Sequence, residues 1–259
     1  MISSLLILGI LGTIIGSFTS VVTWRLPKGT SIVWPSSRCP KCTNNIEPQD
    51  NIPIISWIRL RGRCRQCNSK ISIRYPLIEA AAAIIWCSMS LVVKDNFGSN
   101  YLILIGSIIL SFILLSTSII DIEYMRIPEN FCIIGIIIGI IFTGFQGYFS
   151  AEDNVLLAIN NHFLASFIVL VIMESIGLLG LKIFGIPVLG MGDAKLAAVG
   201  GAWIGIEGIF FAILLAFITG GLFGLIGRIA KVLKPFQPFP FGPFIAFGIW
   251  TCWIYKAII

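Results

Sequence analysis

Two aspartates and four cysteines are the residues of this chain whose types and spacing could do chemistry. Asp121 directly follows the uncharged run Tyr101–Ile120, and Asp193 lies in Leu189-Gly-Met-Gly-Asp-Ala-Lys-Leu196. Two carboxylates brought together cannot both ionise cheaply. One keeps a proton and can act as general acid, while the other takes a proton from water. Aspartic peptidases split amides with that arrangement. Taken singly, Asp121 also reads as a charge where a helix leaves a bilayer, and Asp193 as a helix N-cap. Gly190 and Gly192 allow close backbone approach beside Asp193. Lys195, two positions on, is either an anchor at the membrane surface or a charge that steadies the site. Glu123 and Glu129 compete with Asp121 on spacing alone. Glu79, four positions after Tyr75, is a candidate for the edge of the site. Glu174 falls inside an apolar segment, where an ionisable group is a functional candidate by default; a protonated, hydrogen-bonded structural residue is the plainer reading. Spacing assigns no role to Glu207.

The cysteines form two pairs, Cys39-Pro-Lys-Cys42 and Cys64-Arg-Gln-Cys67, with positions 43–63 between them. Four thiolates so spaced suit the tetrahedral preference of zinc. Arg38, Lys41, Arg63 and Arg65 would help keep them ionised and offset the charge of the centre. Two disulfides, four free thiols, or iron in place of zinc are the alternatives; disulfides conflict with a reducing compartment. The surrounding loop has too little apolar content for a large core, so a metal would supply folding energy. Cys87, Cys132 and Cys252 are isolated and read as small apolar residues.

The elements that position these groups follow from composition. The 259 residues are 57% hydrophobic and 12% charged, with a mean hydropathy of +0.96. A soluble domain carries about 25% charged residues, so a soluble monomer is excluded and the chain reads as an all-α integral membrane protein. Apolar segments near 2–23, 76–93, 101–120, 131–149, 163–181, 194–206, 207–227 and 241–257 give about eight transmembrane helices. Residues 194–206 are too few to cross a core of about 30 Å, and Gly200, Gly201 and Gly205 suit a half-depth helix packed against neighbours. The stretch 234–243 holds four prolines, which exclude a continuous helix there. It reads as a bent interfacial loop or the wall of a substrate groove.

Charge supplies the orientation. Ten of the 18 Lys and Arg lie between Arg25 and Arg74, against only Glu47 and Asp50, a net +8; the rest of the chain is net −2. The excess belongs to one loop beside a membrane, not to a nucleic-acid surface. Basic residues concentrate in cytoplasmic loops, so 25–74 should be cytoplasmic and both termini outside. With Arg126, Lys182, Lys195, Arg228, Lys231 and Lys234, 16 of the 18 basic side chains then face the cytoplasm. Lys94 and Lys256 fall outside, and Glu152 and Asp153 lie in an outer loop. Both aspartates come to the cytoplasmic face. No signal peptide is expected, because the basic residues follow the first apolar segment rather than precede it.

Other chemistries are poorly supplied. His162 is the single histidine and falls at the outer end of a span, so Ser-His or Cys-His catalysis beside the aspartates fails. There is no HExxH, Walker or GxGxxG motif.

Several segments together resemble the type IV prepilin peptidase family. Gly16-Ser-Phe-Thr-Ser-Val-Val-Thr-Trp-Arg-Leu-Pro27 is similar to the family's opening motif. The two cysteine pairs follow, with Asn51-Ile-Pro-Ile-Ile-Ser56 between them and Arg74-Tyr-Pro-Leu-Ile-Glu79 after them. Asp121-Ile-Glu-Tyr-Met-Arg-Ile-Pro128 and Gly190-Met-Gly-Asp-Ala-Lys-Leu196 resemble its two aspartate motifs, and Pro240-Phe-Gly-Pro-Phe244 its late element. Ser20 stands where the family usually has Asn, and Glu129 where Asp or Asn is common.

The resemblance implies a membrane aspartic peptidase that cuts a short basic leader from type IV prepilins or pilin-like proteins at the cytoplasmic face. Bifunctional members then methylate the new N-terminus with S-adenosylmethionine. It implies Asp121 and Asp193 as the catalytic pair over Glu123 and Glu129. It implies Cys39, Cys42, Cys64 and Cys67 as the metal-binding residues. The expected division is a first helix (1–24), a cytoplasmic four-cysteine domain associated with methyl transfer (25–75) and a transmembrane peptidase core (76–259). Localisation would be the inner membrane of a prokaryote, with pilin-like proteins and the lipid bilayer as partners and no nucleic acid. A peptidase without methyl transfer, and a transporter or zinc-loop adaptor, are the competing functions.

Overall fold

Long uncharged runs have one economical solution in a bilayer, the helix, which satisfies its own backbone groups. The computed structural model describes residues 2–89, 101–149, 154–185, 188–234 and 237–258, and among these there are helices and no strands. The chain is an all-α integral membrane protein. In order come α1 (Ile2–Arg25), α2 (Ile55–Arg59), α3 (Arg74–Ser88), α4 (Tyr101–Tyr124), α5 (Glu129–Phe149), α6 (Val155–Phe184), α7 (Met191–Ile229) and α8 (Gly242–Ile258). Helices α1, α4, α5, α6 and α7 are long and apolar enough to cross a membrane. α8 runs for 17 residues and α3 for 15. Residues 90–93 of the second expected span, together with Lys94, Glu152, Asp153 and positions 235–236, lie outside the described residues.

The chain divides into two compact units, Met1–Phe97 and Gly98–Ile259. In the first, α1 packs on α3. Gly16 makes the crossing close: a Cβ there would stand 2.6 Å from Glu79 Cα. Polar groups hold the far end of the pair. Thr19, Ser20 and Thr23 are buried, and Arg74 donates from Nη2 to Thr23 Oγ1 at 2.7 Å and from Nη1 to the Ser20 carbonyl at 3.4 Å.

In the second unit α7 is the hub, packed against α5, α6 and α8. Its first arm, 191–204, is the short element expected near 194–206, and Ala194 and Leu196–Ile204 on it are buried. The chain turns at Gly205, whose φ of 75° and ψ of −175° break the helix. A positive φ of this kind is cheap only for glycine. The arms fold back on each other, so that a Cβ on Gly200 would meet Ile209 Cδ1 at 2.8 Å; a straight helix would separate these two positions by about 13 Å. The freed backbone groups are satisfied from α6. Asn161 Oδ1 accepts the Ile206 N–H at 3.0 Å, and His162 Nδ1 lies 3.0 Å from the Ala202 carbonyl and 3.1 Å from Thr143 Oγ1. The lone histidine is therefore a buried packing residue of the helix break. At the centre Phe142 stacks on Trp203, and Trp253 meets both rings edge-on. Their indole N–H groups have partners, Trp203 donating to the Gly135 carbonyl and Trp253 to Ser107 Oγ.

Candidate active site and four-cysteine centre

Asp121 ends the apolar run of α4 one turn before the helix stops, and it is buried. Glu123 and Glu129 are exposed. Asp121 Oδ2 accepts the Gly242 N–H at 2.9 Å, a bond that reaches 121 positions along the sequence to the first residue of α8. Asp193 sits at the third position of α7, where its Oδ2 accepts the Gly190 N–H at 3.2 Å. It satisfies an orphan amide from the N3 position, as the acid of a capping box does, rather than from the N-cap itself.

One side chain lies against the glycines that adjoin the two aspartates. Ile127, in the turn between α4 and α5, fills the space next to two glycines. A Cβ on Gly192 would stand 3.0 Å from Ile127 Cβ, and one on Gly242 would meet Ile127 Cδ1 at 3.2 Å and Asp121 Oδ2 at 2.9 Å. Gly242, whose N–H Asp121 accepts, and Gly192, next to Asp193 in the chain, thus meet at the same side chain. Lys195 Nζ pairs with Glu129 Oε1 at 2.8 Å, tying the start of α7 to the start of α5. Residues 237–243, the described end of the proline-rich stretch, have a definite task that spacing did not reveal. Phe239, Phe241 and Phe244 pack with tilted rings against Phe217 and Phe223 of α7, and this packing delivers the Gly242 amide to Asp121.

Glu79 belongs to the first unit, where it is buried. Its Oε2 accepts the Ile54 N–H at 2.7 Å, and Ser17 bonds the same carboxylate. Ile54 has a φ of 59°, a conformation that costs a β-branched residue about 1–3 kcal/mol. Glu174 is half-buried on α6. Glu207, which is exposed, follows the break in α7 and lines a cavity with His162 and Lys256.

The four cysteines come together in the first unit, their Sγ atoms all within 4.8 Å of one another. Each pair is wound into the same turn. The Thr43 N–H bonds the Cys39 carbonyl and the Asn68 N–H the Cys64 carbonyl, both at 2.9 Å; the Cys39 and Cys64 amides donate to the Asn44 and Ser69 carbonyls. Isolated bridges Arg38–Asn45 and Arg63–Lys70 close the two turns, so the contacts of the first turn recur in the second. All seven cysteines are free. Cys39 Sγ and Cys67 Sγ lie 3.8 Å apart, close to the ~3.8 Å edge of a tetrahedron with Zn–S bonds of about 2.3 Å.

Amide and hydroxyl donors favour the thiolate at two of the four cysteines. The Cys42 N–H, then the Lys41 N–H and the Ser69 hydroxyl, lower Cys39 to about 6. The Ser69 hydroxyl and N–H lower Cys67. Although the Asn44 N–H favours its thiolate, desolvation and the three neighbouring sulfurs push Cys42 to about 11. The cluster is compatible with a zinc site. Arg65, expected to offset thiolate charge, is instead engaged bidentately by Asp50, at 2.6 and 2.7 Å. Arg59 joins them at 2.9 Å.

Comparison with known proteins gives the family. A family model described as the bacterial Peptidase A24 N-terminal domain matches residues 10–93, and one described as the type IV leader peptidase family matches 108–225. The chain is 32% identical over 215 residues to a prepilin leader peptidase/N-methyltransferase of Myxococcus xanthus, covering 83% of this chain and 60% of that protein. It is 31% identical over 235 residues to the protein of that name from Neisseria gonorrhoeae, covering 82% and 78%. To a type 4 prepilin-like proteins leader peptide-processing enzyme of Escherichia coli it is 33% identical over 214 residues, covering 75% and 74%. No solved structure matches the chain. Matched along both of its units, the chain belongs to the type IV leader peptidase family.

Proposed function

We propose that this enzyme removes the basic leader from type IV prepilins or pilin-like proteins and then methylates the new N-terminal amine with S-adenosylmethionine. The observation that carries the first half is the carboxylate pair of Asp121 and Asp193, each with one oxygen bonded to a glycine amide. That bond commits Oδ2 and leaves Oδ1 of each to meet water or the scissile peptide. One carboxylate takes a proton from water as it attacks the carbonyl carbon. The other, protonated, bonds the carbonyl oxygen and passes its proton on toward the leaving nitrogen. Gly190, Gly192 and Lys195 serve as positioning residues, through the amide, the seat of Ile127 and the pair to Glu129. Glu79 is a positioning residue of the first unit.

Cys39, Cys42, Cys64 and Cys67 hold zinc, which organises a loop with little apolar core. Methyl transfer belongs to the four-cysteine segment 25–75 and cleavage to 76–259. The basic loop 25–74 faces the cytoplasm of the inner membrane, the termini lie outside, and the aspartates act at the cytoplasmic face. A leader that carries positive charge stays on that side, so the acids that cut it are needed there.

One assay tests both halves. Purified enzyme in detergent is incubated with prepilin and methyl-labelled S-adenosylmethionine, and the products are run on a gel. The expected product is shortened and labelled. A shortened, unlabelled product removes methyl transfer; an uncut, unlabelled one removes the whole reading.

A further inference from the structure

We infer that the methyl donor binds in a cavity of the first unit, between the exposed face of α1 and two straps of the four-cysteine loop. This rests on the methyl-transfer reading and gives it a location. The cavity measures about 500 Å3, within the range of about 300–1,000 Å3 usual for small-molecule sites. Ser17, Phe18 and Arg25 line it from α1, and Ser37, Asn51 and Pro53 from the straps, with aliphatic side chains between.

Both straps are latched in place. Arg25 donates from Nη1 to the Ser31 carbonyl at 3.0 Å and from Nη2 to the Pro35 carbonyl at 2.7 Å, holding the strap 31–37. The second strap is held by Ser56, whose Oγ accepts the Ile52 N–H and donates to the Gln49 carbonyl. Glu79 completes it by bonding the strained Ile54 amide. A buried carboxylate that holds a β-branched residue at positive φ marks a place where geometry is maintained at a cost in strain.

The chemistry of the walls matches an S-adenosyl amino acid. The Arg25 guanidinium has five donors, of which the two latches use one each, so it can also bond the carboxylate of the methionine end. Phe18 and the aliphatic lining offer an apolar wall for adenine. Ser37 and Asn51 supply hydroxyl and amide groups for ribose or base. Glu79, bonded to the lining Ser17, puts a carboxyl group behind the wall, the kind of oxygen acceptor that a sulfonium cation prefers. In the transfer the lone pair of the substrate's free amine forms a bond to the methyl carbon. The carbon–sulfur bond breaks, its electron pair returns to sulfur to leave a thioether, and the amine's extra proton passes to solvent.

The test is direct photocrosslinking of labelled S-adenosylmethionine to the full-length protein, followed by peptide mapping. Label on the α1 segment 14–25, on 31–37 or on 51–53, competed by unlabelled S-adenosylmethionine, is the expected result. Label confined to residues 98–259 overturns the location while leaving methyl transfer standing. No competed label and no binding by equilibrium dialysis overturn both. Val21→Trp, which fills the cavity, and Asn51→Ala, which removes one polar group, should each weaken binding measured by dialysis, the first by tenfold or more. Unchanged affinity in both variants, at unchanged melting temperature, also overturns the location.

Discussion

The two chemical centres are built in opposite ways. The four thiols lie within one short loop, Cys39 to Cys67, and are aimed by two turns whose hydrogen bonds close within each turn. The two carboxylates stand on separate helices, far apart in sequence, and the Gly242 amide arrives from a third helix farther along the chain. A metal centre can be local because the ion itself gathers the ligands and supplies folding energy. A pair of acids has no such ion to gather it, and like charges oppose the approach, so the packing of the helices must hold it. The lesson is that damage should stay within each centre.

The largest expected effect is on cleavage. Asp121→Asn and Asp193→Asn should each lower the rate of prepilin cleavage by about 10²–10⁴-fold or more, the usual contribution of acid–base groups. Zinc content should be unchanged. A gel-based cleavage assay with elemental analysis checks both, and full cleavage by either variant would remove that residue from the pair.

Next is the reciprocal change. Cys64→Ser removes one of four ligands, and the loop should lose its metal and become protease-sensitive, since structural zinc is worth on the order of 10–16 kcal/mol to small domains. Unchanged zinc content would refute the four-cysteine site. Gly242→Ala comes third. It places a carbon against Asp121 Oδ2 and Ile127, and should slow cleavage by about tenfold through overpacking of roughly 1–3 kcal/mol, again with zinc retained.

The fourth effect separates the centres by pH. The Arg65 fork, followed by its charge and by Arg59, holds Asp50 below the usual carboxylate range. A carboxyl lowered on folding contributes stability that is present above its unfolded value of about 3.9 and is lost as pH falls through the lower folded value. Asp50→Asn should therefore flatten the loop's proteolytic stability below about pH 4 while leaving its shape near neutrality. The smallest effect is expected from Glu129→Gln. Its pair with Lys195 has one largely exposed partner, so melting should shift by no more than an exposed ion pair's worth of about 0–1 kcal/mol.

The same contrast explains what could be read from the sequence. The four cysteines were legible because metal ligands repeat at characteristic spacings. The apolar lengths gave the helices, and three glycines in a short span marked 194–206 as an element that stops early. The repetition of one cysteine turn by the other is not visible along the sequence, since it lies in backbone hydrogen bonds and beyond the cysteines shares little but Arg38 with Arg63 and Ile46 with Ile71. The partners of the carboxylates were hidden for the same reason. Neither the Gly242 amide nor the Ile127 wedge leaves a pattern along the chain, because contacts between such distant segments are set by how helices pack. Ile54 is the sharpest case, as no propensity argument would put an isoleucine at positive φ until Glu79 is seen to hold its amide.

The break at Gly205 bears on how the protein is made. Its turn is a single residue between two apolar arms, so no hydrophilic loop has to be drawn across the lipid, and the arms can enter as one hairpin. An exposed amide or carbonyl at that depth would be costly. The groups that quench them, Asn161 and His162, are on α6 and leave the ribosome before Ile206 does. Synthesis thus delivers the side-chain partners first and the broken backbone second, an order that spares the nascent chain an unsatisfied kink.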